Sequence, residues 1–144
     1  MERTWCKNAP AADLLIMGGR VVDPEAGIDA VQDVLVSKGK VAEVGKDLRP
    51  GKNTREVDAR GMLVLPGFAD MHAHLRTPGR EDEEDITSGT RAAAAGGYVA
   101  IFAMANTDPV VDTAAVLRGL AQTARAEAAI PVGFFAAVTR VLAG

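Results

Sequence analysis

The fold of this chain is decided by one stretch of sequence, Pro66-Gly67-Phe68-Ala69-Asp70-Met71-His72-Ala73-His74-Leu75-Arg76. The stretch holds both histidines of the protein, and an apolar run at residues 62–65 leads into it. A run rich in Leu and Val that is closed by turn residues is typical of a buried strand. Because side chains two apart in a strand point to the same face, we expect four polar side chains of the stretch to share one face. They are Asp70, His72, His74 and Arg76.

Two imidazoles, a carboxylate and a guanidinium on one face favour an anion-binding metal site over a hydrophobic core. Imidazole nitrogens are typical ligands of zinc and other borderline metals. A catalytic zinc usually has three protein ligands and keeps one position open for water. His72 and His74 supply only two, so the other ligands must come from elsewhere. A His-x-His pair also arises by chance, and its context therefore has to support the metal interpretation.

The context of the pair carries a family resemblance. The pattern Pro-Gly-Phe-x-Asp-x-His-x-His-Leu-Arg, followed by Pro78-Gly79 and by Met104-Ala105-Asn106-Thr107, resembles the dihydroorotases of the amidohydrolase superfamily. The similar region runs from about residue 13 to the last residue. The Asp-x-His-x-His core is shared across the superfamily, whereas Leu75-Arg76 and Asn106-Thr107 are more specific. The chain departs from the family at three positions, since members commonly have an acid at Thr77, a lysine near Glu83 and a proline at Ala105.

The resemblance implies a zinc-dependent cyclic amidohydrolase with one or two zinc ions. Such enzymes reversibly hydrolyse the cyclic amide of dihydroorotate to N-carbamoyl-L-aspartate in de novo pyrimidine biosynthesis. By resemblance, His72 and His74 would be metal ligands. Arg76 and Asn106 would hold the substrate carboxylate, for which a guanidinium fork is well suited. The resemblance leaves the catalytic general base unidentified, and we expect it beyond Gly144.

The resemblance also implies an α/β fold, namely the first part of a (β/α)8 TIM-type metal-dependent hydrolase barrel preceded by a small β-sandwich (composite) domain. Residues 1–61 would form the N-terminal part of the β domain, and residues 62–144 the first two to three β/α units. A complete barrel takes about 250 residues. Both domains are therefore expected to be incomplete here. We expect the chain to be an N-terminal piece or a truncated gene product that is inactive by itself.

Short apolar runs separated by turn residues predict the small β domain. Gly18-Gly19, between two apolar runs, predicts a hairpin. Further strands are predicted at residues 31–36, 41–44 and 56–59, and the proline and glycine positions predict turns at residues 24–27 and 37–40. The aspartates of this part are interpreted as turn and edge residues rather than ligands; they are Asp13, Asp23 and Asp33.

The second part alternates strands with helices. Strands are predicted at residues 62–68, 98–104 and 130–138, and the first helix should end near Ala95 before a Gly96-Gly97 cap. The acidic run at residues 81–85 is interpreted as a solvated helix start, because acids favour the amino end of a helix dipole. Asp112 or Thr113 can cap the second helix. We expect an exposed sheet edge after the third strand, which would promote self-association.

Composition excludes several classes of function. The net charge of the 144-residue chain is −3. The sequence therefore gives no sign of a basic surface that would bind nucleic acid or an anionic membrane. Cys6 is the only cysteine, so an internal disulfide is impossible and cytoplasmic residence fits. No signal peptide is expected, and no apolar run approaches the roughly 18 residues of a membrane span.

Two other functions remain open from the sequence. An allantoinase or hydantoinase shares the His-x-His core, but its substrate lacks a ring carboxylate where Arg76 and Asn106 would bind one. A non-catalytic dihydroorotase-like chain could instead be a structural partner of aspartate transcarbamoylase. The expected partners are a small-molecule substrate and either further copies of the chain or aspartate transcarbamoylase.

Overall fold

The structure is a computed structural model that describes residues 4–7 and 12–143. The chain divides into two compact units. One, here called the β unit, spans Ala9–Pro66; the other, the α/β unit, combines Met1–Asn8 with Gly67–Gly144. The architecture is mixed α/β, with one sheet in each unit. The assignment of residues 1–61 to a β domain and of residues 62–144 to a barrel stays a prediction.

The β unit contains a five-stranded sheet in which β1, β2 and β3 pair antiparallel as neighbours, while β4 and β5 both pair parallel to β1. Turns at residues 24–27 and 37–40 join the antiparallel strands, as the sequence predicts. Leu15 is 0% exposed and lies in the core of the unit. The strands are β1 (Leu14–Asp23), β2 (Ile28–Ser37), β3 (Lys40–Gly45), β4 (Arg55–Asp58) and β5 (Leu63–Val64).

The predicted hairpin at Gly18-Gly19 is wrong, because β1 continues through both glycines. The pairing of β1 with β2 shifts register between Ile16 and Gly19, which marks a bulge. Gly18 has a φ of +68°, and a Cβ on Gly19 would collide with the side chain of Val64. The glycines are therefore needed for a left-handed backbone and for close approach of β5, not for a reversal of the chain.

The aspartates of the β unit act as structural acceptors, as predicted. Asp33 accepts from the backbone N–H groups of Gly18 at 2.8 Å and Leu48 at 3.0 Å. Asp13 accepts from the N–H of Lys38 at 2.8 Å. Asp23 likewise accepts two N–H groups of the turn that follows it. These carboxylates connect turns to strands.

The α/β unit contains a parallel sheet in the order β6-β7-β8, with a helix in each crossover. Apolar residues of both helices pack with the sheet, and Val132 of β8 is 0% exposed. A single turn of 3-10 helix, Arg140–Leu142, follows the last strand. The elements are β6 (Phe68–Ala73), α1 (Ile86–Ala95), β7 (Tyr98–Ala103), α2 (Ala114–Glu127) and β8 (Val132–Phe134).

The strand predicted at residues 62–68 is wrong, because two elements share that region. β5 pairs with Arg20 and Val21 in the β unit, and β6 begins only at Phe68. Pro66 separates them, and proline cannot donate to a sheet ladder. The third strand is also shorter than the predicted range 130–138.

The helix boundaries follow local capping chemistry. Asp85 is the N-cap of α1 and accepts from the N–H of Ser88 at 2.7 Å, so the acidic run precedes the helix instead of forming its first turn. Gly96 caps the carboxyl end of α1, and Thr113 caps the start of α2, as the sequence predicts.

The outer edge of β8 is occupied at Val132 by residues 4–7 of the same chain, so the predicted exposed edge is wrong at this point. Trp5 and Val132 exchange two backbone hydrogen bonds of 2.9 Å in an antiparallel bridge. The Trp5 ring stacks on Phe134 at 5.8 Å, and the Arg125 guanidinium lies 5.7 Å from its centroid. Among the residues described, no helix is long and apolar enough to cross a membrane.

Candidate functional site

The two histidines lie together where β6 ends. His72 is in the strand and His74 is just past it, and their ring centroids are 5.2 Å apart. Both side chains are exposed. The carboxylate of Asp70 accepts from the backbone N–H of His72 at 2.9 Å, within a segment where the pairing of β6 with β7 shifts register. Asp70 therefore supports the backbone that presents the imidazoles.

Asn106 contacts the histidine pair from the end of the neighbouring strand. His74 Nδ1 lies 2.9 Å from Asn106 Oδ1. An amide oxygen can only accept, so this contact suits the tautomer of a neutral imidazole that has its proton on Nδ1 and its lone pair on Nε2. The N–H of Met104 donates to the carbonyl of Ala73 at 2.9 Å and keeps the two strand ends adjacent. A histidine whose second nitrogen is held this way has the orientation and tautomer of a metal ligand.

Arg76 does not follow the predicted extended path. β6 ends at Ala73, and Arg76 has a φ of +57°, in the left-handed region. The alternation of a strand therefore does not set the direction of this side chain. Its Nε lies 3.4 Å from Oε2 of Glu83. The expectation that four polar side chains share one strand face is thus wrong for Arg76.

The loops that follow β6 and β7 pack directly on each other. The N–H of Asp108 donates to the carbonyl of Pro78 at 3.0 Å. Gly79 has a φ of +100°, and a Cβ there would collide with the carbonyl oxygen of Asp108. A glycine is therefore required at position 79 by both conformation and space. This packing joins two parts of the motif, Pro78-Gly79 and Asn106-Thr107, that are distant in sequence.

The histidine pair fits a metal ion as two of its ligands. No group of three or more His, Cys, Asp or Glu side chains able to hold a metal occurs within residues 4–7 and 12–143. The exposed imidazoles and the Nδ1 contact of His74 suit coordination through nitrogen, the donor that zinc accepts readily. Within the described residues, the histidine pair could therefore supply two ligands to a metal ion but does not belong to a larger ligand group.

Sequence reasoning missed two residues of this region. Glu83 contacts both Arg76 and Arg80, although the acidic run was interpreted only as a helix start. Gly79 was noted as part of a motif, without its packing role. One signal in the sequence could have indicated the contacts of Glu83. Arg76, Arg80 and Glu83 are spaced four and then three residues apart, which places side chains on one side when the backbone is wound into turns.

Comparisons of sequence find dihydroorotases. A family model described as dihydro-orotase-like matches residues 61–141, more than half of the chain. The dihydroorotase of Geobacter metallireducens is 51% identical over 124 residues, which cover 84% of this chain and 29% of that protein. The dihydroorotase of Anaeromyxobacter sp. strain K is 52% identical over 103 residues, which cover 72% of this chain and 24% of the relative. The chain thus spans less than a third of the length of these relatives.

Comparisons of structure find hydantoinases. L-Hydantoinase (dihydropyrimidinase) from Arthrobacter aurescens superposes with a TM-score of 0.77 over 88% of this chain and 28% of its own. Its sequence identity of 24% makes this a likeness of fold alone. Dihydropyrimidinase from Brevibacillus agri has a TM-score of 0.73 at 32% identity, over 88% of this chain and 27% of its own.

Proposed function

The chain belongs to the dihydroorotase-like family, and from that premise we propose that the protein carrying it hydrolyses the cyclic amide of dihydroorotate reversibly to N-carbamoyl-L-aspartate. The observation that carries this proposal is the cluster of His72, His74 and Asn106 at the carboxyl ends of two parallel strands. Two proteins that are named dihydroorotase and are about 50% identical to this chain also support the proposal. Cytoplasmic residence, and assembly with itself or with aspartate transcarbamoylase, stay predictions.

The proposed architecture is the start of a (β/α)8 barrel, with β6, β7 and β8 as its first three strands and the β unit as part of a sandwich domain. Three features support it: the strands are parallel, a helix fills each crossover, and the polar cluster lies at the carboxyl end of β6. Active sites of barrel enzymes lie at that end of the strands. The likeness to hydantoinase structures is also in keeping with it.

In this proposal His72 and His74 hold zinc through their imidazoles, with Nε2 of His74 as the donor that the Asn106 contact leaves available. A bound zinc would polarise the ring carbonyl and make water a better nucleophile by lowering its pKa to about 7. Asn106 keeps the His74 ring in position, and Asp70 holds the backbone at His72. The other ligands and the general base are proposed to come from beyond residue 144.

The substrate carboxylate is assigned to Arg76 and Asn106. A guanidinium presents paired donors that match a carboxylate. The Oδ1 atom of Asn106 is used by His74, so the amide N–H groups remain as donors to an anion. Both side chains extend from the loops that Gly79 packs together.

Hydantoinase chemistry is the second candidate, because solved structures similar to this chain include hydantoinases and dihydropyrimidinases. The higher identity to dihydroorotases and the presence of Arg76 favour dihydroorotate. A non-catalytic structural role is the third candidate. It is favoured by the incomplete ligand set of the described residues.

The deciding experiment measures turnover of dihydroorotate, hydantoin and allantoin by the full-length protein that contains this segment. Arg76→Lys should lower kcat/KM for dihydroorotate at least about tenfold, since a lysine supplies only a point charge. Its zinc content should not change, whereas His72→Ala should lose zinc. Arg118→Lys, at an exposed position of α2, is the matched control. The second candidate would be selected if the protein preferred hydantoin and Arg76→Lys left kcat/KM unchanged. The third would be selected if the protein held no zinc and had no activity.

A further inference from the structure

Three charged side chains meet in the loop between β6 and α1. The carboxylate of Glu83 contacts Nε of Arg76 at 3.4 Å through Oε2, and Nη2 of Arg80 through Oε1. Backbone hydrogen bonds wind the loop so that this is possible: the N–H of Arg80 donates to the carbonyl of Arg76 at 3.1 Å, and that of Glu83 to the carbonyl of Arg80 at 3.0 Å. Glu83 thus bridges two cations that the loop turns toward it.

We propose that Glu83 is a positioning residue for Arg76, which it orients to receive the carboxylate of the substrate. The proposal rests on the function proposed above. Arg76 lies just past the end of β6 and has a left-handed backbone, which is unfavourable for a residue other than glycine and does not aim the side chain. A flexible arginine must lose rotamer freedom when it binds an anion. A carboxylate that holds its Nε removes part of that loss before the substrate arrives.

The contact leaves the binding end of Arg76 available. A guanidinium has five N–H donors, and the Glu83 carboxylate lies on the Nε side of the Arg76 group, 3.4 Å from that nitrogen. The two terminal nitrogens can still offer a pair of donors to a second carboxylate. The side chains of Arg76 and Glu83 are 26% and 39% exposed, so solvent reaches the pair and a ligand can as well.

Arg80 keeps the local charge favourable. Arg76 and Arg80 together carry two positive charges, and Glu83 removes one of them. The group therefore keeps a net charge of +1 and still attracts an anion. Without Arg80, Glu83 alone would neutralise Arg76 within this group of three side chains.

The first test is the steady-state kinetics of Glu83→Gln in the full-length protein with dihydroorotate. KM should rise about two- to fivefold, the range that a half-exposed ion pair reaches, while kcat and zinc content stay near wild type. In an Arg76→Lys background, which lacks Nε, the same substitution should have no further effect. Asp82→Asn is the matched control, because it removes an equal charge from the same acidic run at an exposed position. An equal rise in KM for Asp82→Asn, or full additivity with Arg76→Lys, would overturn the proposal.

The second test does not depend on activity. The Arg76 Nε–H proton gives a nitrogen-resolved NMR signal, assigned by its loss in Arg76→Lys. Glu83→Gln should shift that signal and speed its exchange with water, and Asp82→Asn should leave it unchanged. If wild-type protein does not turn over dihydroorotate, the proposed function fails and this signal alone decides the role of Glu83. A signal that Glu83→Gln leaves unchanged would refute the contact.

Discussion

The two units of this chain use polar side chains for different purposes. In the β unit, the carboxylate of Asp33 accepts two backbone N–H groups and connects a bulge to a turn. In the α/β unit, the amide of Asn106 bonds to His74 across 32 residues of sequence, at a place where both side chains are exposed. Polar groups that satisfy backbone donors stabilise the fold. Polar groups that face each other in the open at strand ends are available for ligands.

The difference also appears in how the sheets are connected. The antiparallel strands β1, β2 and β3 of the β unit are joined by short turns, so their pairing partners lie close in sequence, whereas β4 and β5 pair parallel to β1 from distant positions. Strands of the α/β unit are parallel and need a crossover helix, so every pairing is distant. A site built between such strands gathers residues that local sequence keeps apart. Changes in the β unit should therefore alter stability alone, and the following predictions test that division.

The largest expected effect is on the core of the β unit. Leu15→Ala should lower the free energy of unfolding by about 2–5 kcal/mol, because Leu15 is fully buried and its loss leaves a cavity. Urea unfolding followed by circular dichroism measures the change. Val41→Ala, at an exposed position of β3, should differ little from wild type. If the folded Leu15→Ala protein lost zinc affinity, the expectation that changes in the β unit alter stability alone would be wrong.

Asp33→Ala should cost about 1–3 kcal/mol, because it leaves the N–H groups of Gly18 and Leu48 without their acceptor. Thermal unfolding of the variant provides the measurement. Asp29→Asn is the comparison, since the exposed ion pair of Asp29 with Arg20 should contribute much less. If both variants lost the same unfolding free energy, the hydrogen bonds of Asp33 to Gly18 and Leu48 would stabilise the protein no more than an exposed ion pair does.

Trp5→Ala should loosen residues 4–7 on the outer edge of β8, because it removes the ring contacts that support the backbone bridge to Val132, and should thereby increase self-association through the edge. It should also destabilise the α/β unit by about 0.5–1.5 kcal/mol through loss of the stack on Phe134. Sedimentation at several concentrations tests the first effect. Trp5→Phe keeps an aromatic ring and should remain closer to wild type. If Trp5→Ala sediments as wild type does, the ring of Trp5 is not needed to protect the edge.

The smallest effect concerns acid stability at the start of α1. The hydrogen bond from the Ser88 N–H holds the pKa of Asp85 below its usual value of 3.8. A depressed folded pKa contributes stability above the unfolded value, and that contribution disappears as pH falls through the folded value. Asp85→Asn should therefore flatten the loss of melting temperature between about pH 5 and pH 3. Asn also caps helices well, so neutral-pH stability should change little. An acid profile identical to that of wild type would contradict this role of Asp85.

Local sequence determined the turns, the caps and the identity of the site motif. Residues 24–27 and 37–40 reverse the chain where Pro and Gly positions predict it, and Thr113 and Gly96 cap helices as expected. These features depend on backbone preferences and hydrogen bonds within a few residues, which a sequence displays directly. The His-x-His pair is of the same kind, since two residues of one strand segment must lie near each other.

Tertiary structure alone decided which distant partners these local pieces meet. The apolar run at residues 62–65 pairs with β1 in the β unit, although its composition suits a parallel strand equally well. Trp5 occupies the edge of β8, and Glu83 meets Arg76 because a left-handed residue turns the loop. Asn106 reaches His74 because β6 and β7 pair side by side, and Gly79 allows the loops that follow these strands to pack on each other. Which of these contacts form depends on the relative free energies of many possible long-range pairings. A short segment of sequence does not contain the residues that determine those free energies.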